Sequence, residues 1–137
     1  MPEKGDTLRL LLSRDQDGLL CLGAWVDAVI AELHLTGRTA FGLRLCLEEA
    51  VANLVMHGIP SPGIASDTIG IEVSSDDDSI HLTIEDHCQP FDPTRAEAPS
   101  GGGVGGQGLV LMRRFASSLR YERAGAANRL HLTLSRA

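Results

Sequence analysis

Glu49, Asn53 and His57 follow one another at intervals of four residues in the stretch Leu45-Cys46-Leu47-Glu48-Glu49-Ala50-Val51-Ala52-Asn53-Leu54-Val55-Met56-His57-Gly58. On a helix this i, i+4, i+8 spacing lines the three side chains up in one stripe. Leu43, Leu47, Ala50, Val51 and Leu54 fall on another face at helical spacing. At about 100° per residue the polar stripe lies roughly a quarter turn from the apolar one. It can therefore edge a pocket. A carboxylate one turn before a carboxamide suits magnesium and phosphate chemistry. The amide oxygen is a hard, neutral ligand, and the carboxylate can orient or deprotonate a nucleophile. The same spacing also describes an ordinary solvated face, so it needs company.

Two further places supply it. Asp86 stands at the end of a strand pattern, in Ile84-Glu85-Asp86-His87-Cys88-Gln89-Pro90-Phe91-Asp92-Pro93. A carboxylate there can accept a hydrogen bond from an exocyclic amine such as that of adenine. Gly105-Gly106-Gln107-Gly108-Leu109 leads into an apolar helical pattern. A glycine-rich helix start leaves backbone N–H groups free for phosphate oxygens.

Plainer readings fit other residues. Glu48 is a solvated or salt-bridged neighbour of Glu49. Asp76-Asp77-Asp78 is a solvated hairpin tip, since no other ligand type adjoins it. His57 is either a structural residue near a helix end or a phosphate contact. Cys88 has no base placed beside it by sequence logic, so it is not read as a nucleophile. Gly101 to Gly103 resemble a linker, but linkers do not normally run inside a domain straight into a helix.

The elements that must position these groups follow from periodicity. Thr7 to Leu12 reads as a strand at a sheet edge, and a helix from about Leu19 to Leu33 follows. The Glu49 helix runs from about Thr36 to His57, and Gly58-Ile59-Pro60-Ser61-Pro62-Gly63 stops it. Thr68 to Val73 and Ile80 to Ile84 alternate around a polar turn and form a hairpin. His87 to Gly106 is a long loop. A helix from about Gln107 to Ser118 then precedes strands at Leu119 to Arg123 and Arg129 to Leu134. The order β-α-α-β-β-loop-α-β-β predicts an α+β two-layer sandwich, a mixed, mostly antiparallel sheet with helices on one face. The absence of βαβαβ alternation excludes a doubly wound parallel fold.

The chain's 137 residues suit a single domain spanning 1–137. An apolar content of 43% supports a core without disulfides or a structural metal. A net charge of -6 argues against a nucleic-acid or anionic-membrane surface, yet leaves room for a local phosphate site built from amides. Cys21, Cys46 and Cys88 have neither CxxC nor zinc spacing, and their odd number suggests a reducing, cytoplasmic setting. The first residues have no signal-peptide form, and no apolar run approaches the ~20 residues of a membrane span.

Together, in this order and spacing, the three motifs resemble the ATP-binding fold shared by gyrase, Hsp90 chaperones, histidine kinases and MutL. The short form is similar to the bacterial anti-sigma-factor serine/threonine kinases. Glu49-Ala50-Val51-Ala52-Asn53 with His57-Gly58 matches the first motif, Asp86 through Phe91-Asp92-Pro93 the second, and Gly105-Gly106-Gln107-Gly108-Leu109 the third. The likeness runs from about Leu8 to Leu134, and Tyr121-Glu122-Arg123 with Asn128-Arg129-Leu130 also resembles this subgroup.

The resemblance implies ATP and Mg²⁺ as cofactors, with Asn53 as the Mg²⁺ ligand. It implies Glu49 as general base on the hydroxyl of a protein serine or threonine, and Asp86 as reader of the adenine amine. Pro90 and Phe91 would flank the nucleotide. Gly105, Gly106, Gly108 and Leu109 would hold phosphate, with His57 near by, and His87 to Gly106 would cover the ATP. The implied activity is phosphorylation of an anti-sigma-factor antagonist by a protein that sequesters a sigma factor, a partner switch carried by a homodimer through the N-terminal strand, without direct contact to nucleic acid or membrane. The alternative is a nucleotide-gated binding module with negligible transfer. A histidine-kinase catalytic domain is disfavoured, because no dimerisation helix with a phosphoacceptor histidine precedes the motifs. Two departures stand out. Cys88 occupies the usual glycine position of the second motif, which is expected to narrow the pocket or shift the backbone. Arg95 is the one Lys or Arg between His81 and Arg113.

Overall fold

The computed structural model describes residues 7–94 and 104–136. Strand β1 (Thr7–Ser13) turns directly into helix α1 (Gln16–Glu32). Asp15 caps that helix: its carboxylate accepts the Gly18 N–H at 2.9 Å and the Ser13 hydroxyl at 2.8 Å. These bonds, the Gly18 amide first, hold the Asp15 carboxyl below the usual range. Helix α2 (Gly37–His57) follows a turn at His34, and His34 and the helix's first residue, Gly37, are both at positive φ. It buries Gly42, Leu43, Cys46, Leu47, Ala50 and Val51, so the apolar stripe expected from the sequence faces the core.

The hairpin of β2 (Thr68–Ser75) and β3 (Ser79–Asp86) forms where alternation predicted it. Ile69, Ile71, Val73, Ile80, Leu82 and Ile84 all point inward and are buried. Its tip is the acidic run, and Asp76 closes the turn by accepting the N–H groups of Asp78 and Ser79 at 2.9 and 2.8 Å. His81 lies 3.0 Å from the same carboxylate. The His81 contact and then the two amides lower the Asp76 carboxyl to about 2. The acids are thus turn chemistry, as the plain reading had it.

Helix α3 (Val104–Phe115) and strands β4 (Ala116–Ala124) and β5 (Ala127–Ser135) complete the order. The helix sits about three residues earlier than the periodicity suggests. Ala116 to Ser118 belong to β4 instead, because Ala116 pairs with Leu134 and Ser118 with Thr133 around an irregularity at Ser117. Sheet pairing outweighs the weak helical preference of two serines.

The five strands run β1-β2-β3-β5-β4, every neighbouring pair antiparallel. The outcome is the expected α+β two-layer arrangement, and no parallel pair occurs among the described strands. Leu22, Val26 and Val29 of α1, the α2 stripe and Met112 of α3 close over the inward side chains of the sheet. β1 is an edge strand, as expected.

The register gives the sheet two unlike ends. At one, Thr7 pairs with Ser74 and Ser79 with Ser135, around the β2–β3 turn. At the other, Asp86 pairs with Ile69 on one side and Asn128 on the other, beside the β4–β5 turn. No helix among the described residues is long and apolar enough to cross a membrane.

Candidate functional site

Asp86 is the last residue of β3 and continues the inward alternation of Ile80, Leu82 and Ile84. It is buried, at 6% exposure, where its neighbours in the pattern are aliphatic. A buried carboxylate needs partners. Its Oδ1 accepts the Cys88 N–H at 2.9 Å and an N–H of the Asn128 carboxamide at 2.9 Å. The Cys88 thiol also lies within hydrogen-bonding reach of this carboxylate, and Oδ2 is engaged by neither of the two amides that hold Oδ1.

Asn128 is 5% exposed and was not singled out as a site residue by sequence reasoning. The signal was present: Asn128 takes the inward place in the alternation Asn128, Leu130, Leu132, Leu134. A polar residue on a core face signals a built contact. Its Nδ2 also donates to the carbonyls of Cys88 at 3.1 Å and Gln89 at 3.2 Å. Its Oδ1 accepts the Tyr121 hydroxyl and an Arg123 N–H, the latter at 3.2 Å. Arg123 donates to the Cys88 carbonyl as well, at 2.8 Å.

The segment after β3 is stitched to the segment after α2. Pro60 and Cys88 form an isolated antiparallel bridge. The Ser61 N–H donates to the His87 carbonyl at 3.0 Å, and the Gln89 N–H to the Ile59 carbonyl at 2.7 Å. Gly58 is needed at this junction for close approach. A Cβ there would lie 2.5 Å from the Leu54 carbonyl oxygen and 2.8 Å from Cys88 Sγ. The bulk that Cys88 adds at the motif's glycine position is therefore packed against Gly58. Burial, and then the Asp86 charge, push its thiol up to about 11.

Arg14 fixes the same junction from beneath. It makes a two-pronged ion pair with Asp67 at 2.8 and 2.7 Å and donates to the Leu54 carbonyl at 2.8 Å. The Gly58 N–H reaches that carbonyl too, at 2.9 Å. The last turn of α2 is thus held from two directions, one residue beyond Asn53.

Glu49 and Asn53 are half-buried, and His57 is exposed at the final turn of α2. Among the described residues neither Glu49 nor Asn53 has a side-chain hydrogen bond or ion pair, which leaves both groups available. Glu48 is exposed and lies 3.5 Å from Arg44, one turn away. It is the salt-bridged neighbour, and Glu49 is the residue that edges the interior. Asn53 precedes Gly58 by five residues, about 7.5 Å along the helix axis. The stripe and the Asp86 cluster therefore share one end of the molecule.

Pro90 and Phe91 are exposed, Phe91 at 62%. Asp92 accepts the N–H and hydroxyl of Thr94 at 2.9 and 2.6 Å. Arg113 of α3 donates to the carbonyls of Thr94 at 2.7 Å and Pro93 at 3.3 Å. This ties the beginning of the loop to α3, a role the sequence did not announce. The rest of the expected loop, including Arg95 and Gly101 to Gly103, lies outside the described residues. Gly105, Gly106 and Gly108 fall inside α3, not ahead of it. Gly105 and Gly106 belong to its first turn, whose N–H groups have no partner within the helix. At its other end α3 packs on the start of α2: Phe115 meets Phe41 with ring centroids 5.4 Å apart, and Arg38 lies 4.4 Å over the Phe115 ring.

The donor set suits magnesium in one respect. Asn53 offers a neutral oxygen, and among the described residues no cluster of three His, Cys, Asp or Glu side chains forms a protein cage. Magnesium commonly takes one or two protein ligands and completes its shell with phosphate and water.

Comparisons with known proteins bear on the family and the fold. The model of the histidine kinase-like ATPase domain matches residues 15–134. The chain is 32% identical, over 97% of its own length and 95% of the relative's, to serine/threonine-protein kinase BtrW of Bordetella bronchiseptica. Among solved structures it is similar to the RsbU and RsbW domains of a Mycobacterium tuberculosis protein, with a TM-score of 0.66 at 17% identity. That match covers 96% of this chain and 32% of the other, so the chain spans about a third of that structure. The histidine kinase domain of a blue-light activated histidine kinase from Erythrobacter litoralis matches with a TM-score of 0.53 at 18% identity, over 72% of this chain and 45% of that one. The chain belongs to the histidine kinase-like ATPase domain family.

Proposed function

We propose that this protein binds ATP with Mg²⁺ and transfers the terminal phosphate to a serine or threonine of a partner protein. The observation that carries the reading is Asp86: a buried strand-end carboxylate with one oxygen held by two amides and the other engaged by neither of them. That is the arrangement needed to accept a hydrogen bond from the adenine amine. The name of the Bordetella relative supports the choice of a protein hydroxyl as acceptor.

Each group then has one task. Asp86 Oδ2 accepts from the exocyclic amine, with Pro90 and Phe91 flanking the nucleotide. The amides at the start of α3, from Gly105 and Gly106 toward Gly108 and Leu109, donate to phosphate oxygens, and His57 stands near the same end. Asn53 supplies a neutral oxygen ligand to Mg²⁺, whose chemistry is to neutralise phosphate charge. Glu49, one turn earlier, accepts the proton of the attacking hydroxyl. The oxygen of that hydroxyl forms the new P–O bond as the bond to ADP breaks. By the same reading the partners are an anti-sigma-factor antagonist, as acceptor, and a sigma factor, as the protein released or held. The exposed β1 edge suits a homodimer. Labelled ATP incubated with this protein and antagonist candidates from neighbouring genes tests the proposal; tight ATP binding with no phosphoprotein for any of them would reject the transferase.

A second reading keeps the site and removes turnover. Cys88 stands where the motif has glycine and is packed against Gly58, which stiffens the junction beside Asp86. A nucleotide-gated binding module would bind ATP, change partner affinity and yield no phosphoprotein.

A further inference from the structure

The carboxamide of Asn128 sits among five hydrogen-bonding groups. Three carbonyl or carboxylate oxygens surround its Nδ2: Asp86 Oδ1, Cys88 O and Gln89 O. Two donors, the Tyr121 hydroxyl and Arg123, meet its Oδ1. A carboxamide has an acceptor end and a donor end, and turning it over would set oxygen against oxygen and N–H against N–H. Tyr121 and Arg123 therefore fix which way Asn128 faces, and Asn128 fixes the carboxylate.

The consequence reaches the ligand. The terminal torsion of an aspartate is broad, so an unpinned carboxylate presents either oxygen. Here Oδ1 is occupied by Asn128 and the Cys88 amide, so Oδ2 is the oxygen turned to a ligand, with the weakly donating Cys88 thiol as its one protein competitor among the described residues. The Cys88 carbonyl is occupied by Asn128 and Arg123, and the Gln89 carbonyl by Asn128. Nearby backbone acceptors are thus withdrawn from competition for a ligand N–H. We propose that Asn128, oriented by Tyr121 and Arg123, is the positioning residue that makes Asp86 selective for the 6-amino group of a purine. The proposal rests on the reading of Asp86 as the base-reading group.

The test compares two ligands differing only in that amine: ATP and purine riboside triphosphate. Phosphate, ribose and magnesium contacts are shared, so the ratio of their dissociation constants isolates the amine. Titration calorimetry is run on the unmutated protein, Asn128→Ala and Tyr121→Phe. The unmutated protein should prefer ATP by about tenfold or more, as expected for a hydrogen bond to a charged group. Asn128→Ala should bring the ratio close to one, and Tyr121→Phe should lower it partway. Equal weakening of both ligands in Asn128→Ala, with the ratio unchanged, would mean that Asn128 merely supports the fold, and would overturn the proposal. Should Asn128→Ala fail to fold, an unchanged ratio in Tyr121→Phe overturns it equally. A ratio near one in the unmutated protein would remove the reading of Asp86, and this inference with it.

Discussion

Asp86 and Asn128 are register partners across β3 and β5, and their side chains join at 2.9 Å at the end of the sheet where the helix α2 terminates. A buried acid meets a buried amide there because both strands carry one polar residue at the inward place where an aliphatic one would otherwise continue the pattern. The pair spends one carboxylate oxygen on the protein, and the other is the one proposed to read adenine.

Removing that oxygen should be costly for adenine nucleotides. Asp86→Ala is expected to weaken ATP by ~1.5–3 kcal/mol, or ~10- to 150-fold, the range for a hydrogen bond to a charged group. GTP should lose less, since guanine has a carbonyl where adenine has its amine. Calorimetric titration of both nucleotides measures this. Equal losses would count against the assignment.

Glu49 and Asn53 lie one helical turn apart, yet they should fail differently. Asn53→Ala removes the proposed metal ligand and should weaken Mg·ATP itself, abolishing transfer as a result. Glu49→Gln keeps the shape and removes the proposed base, so ATP should still bind while phosphoprotein formation falls by ~10²- to 10⁴-fold. Full transfer by Glu49→Gln would reject the base, and the salt-bridged position of Glu48 makes that residue a poor substitute.

Gly58 and Cys88 should be coupled. Gly58→Ala drives a methyl toward Cys88 Sγ and the Leu54 carbonyl and should destabilise the fold by about 1–3 kcal/mol, the usual cost of overpacking. Adding Cys88→Gly relieves the sulfur contact but not the carbonyl one, so the double variant should recover part of the loss. Strict additivity of the two changes in denaturant melts would show that the residues do not share this space.

The thiols give a pH dependence with a definite sign. Burial pushes Cys46 up to about 12, and burial with the Asp86 charge pushes Cys88 up to about 11. The folded protein therefore holds these protons more tightly than the unfolded chain, whose thiols titrate near ~8.5. Stability from this source is intact below about pH 8.5 and declines as pH rises toward 11 and beyond. Near neutral pH an alkylating reagent should label the exposed Cys21 and spare the other two until the protein unfolds. Rapid labelling of all three in the folded protein would contradict the burial argument.

Much of this was legible in the chain because periodicity reports burial. The α2 stripe, the β2–β3 alternation and the edge position of β1 all followed from apolar spacing. The element order then gave the layered α+β arrangement. What periodicity could not give was the boundary at α3 and β4. Ala116 to Ser118 carry weak local preference, and their state is decided by pairing with Thr133 and Leu134, which lie far away in sequence. The same distance hid Arg14, whose importance depends on Asp67 and the Leu54 carbonyl meeting it in space. Asn128 was hidden differently. It broke the inward pattern of β5 in plain view, but its meaning depended on the register that sets it opposite Asp86. Arg113 gave no sign at all, because its partners are backbone carbonyls.

The two unlike ends of the sheet bear on how such a unit is assembled into larger proteins. The first residue of β1 and the last of β5 lie with the β2–β3 turn, away from Asp86 and Asn128. Fusion at either of those strand ends, or a tag inserted at Asp77, enters at the pole opposite the Asp86–Asn128 pair. An insertion at Gly125 enters beside it. The fold thus lends itself to use as a cartridge, with its sockets on one side and the proposed nucleotide site on the other.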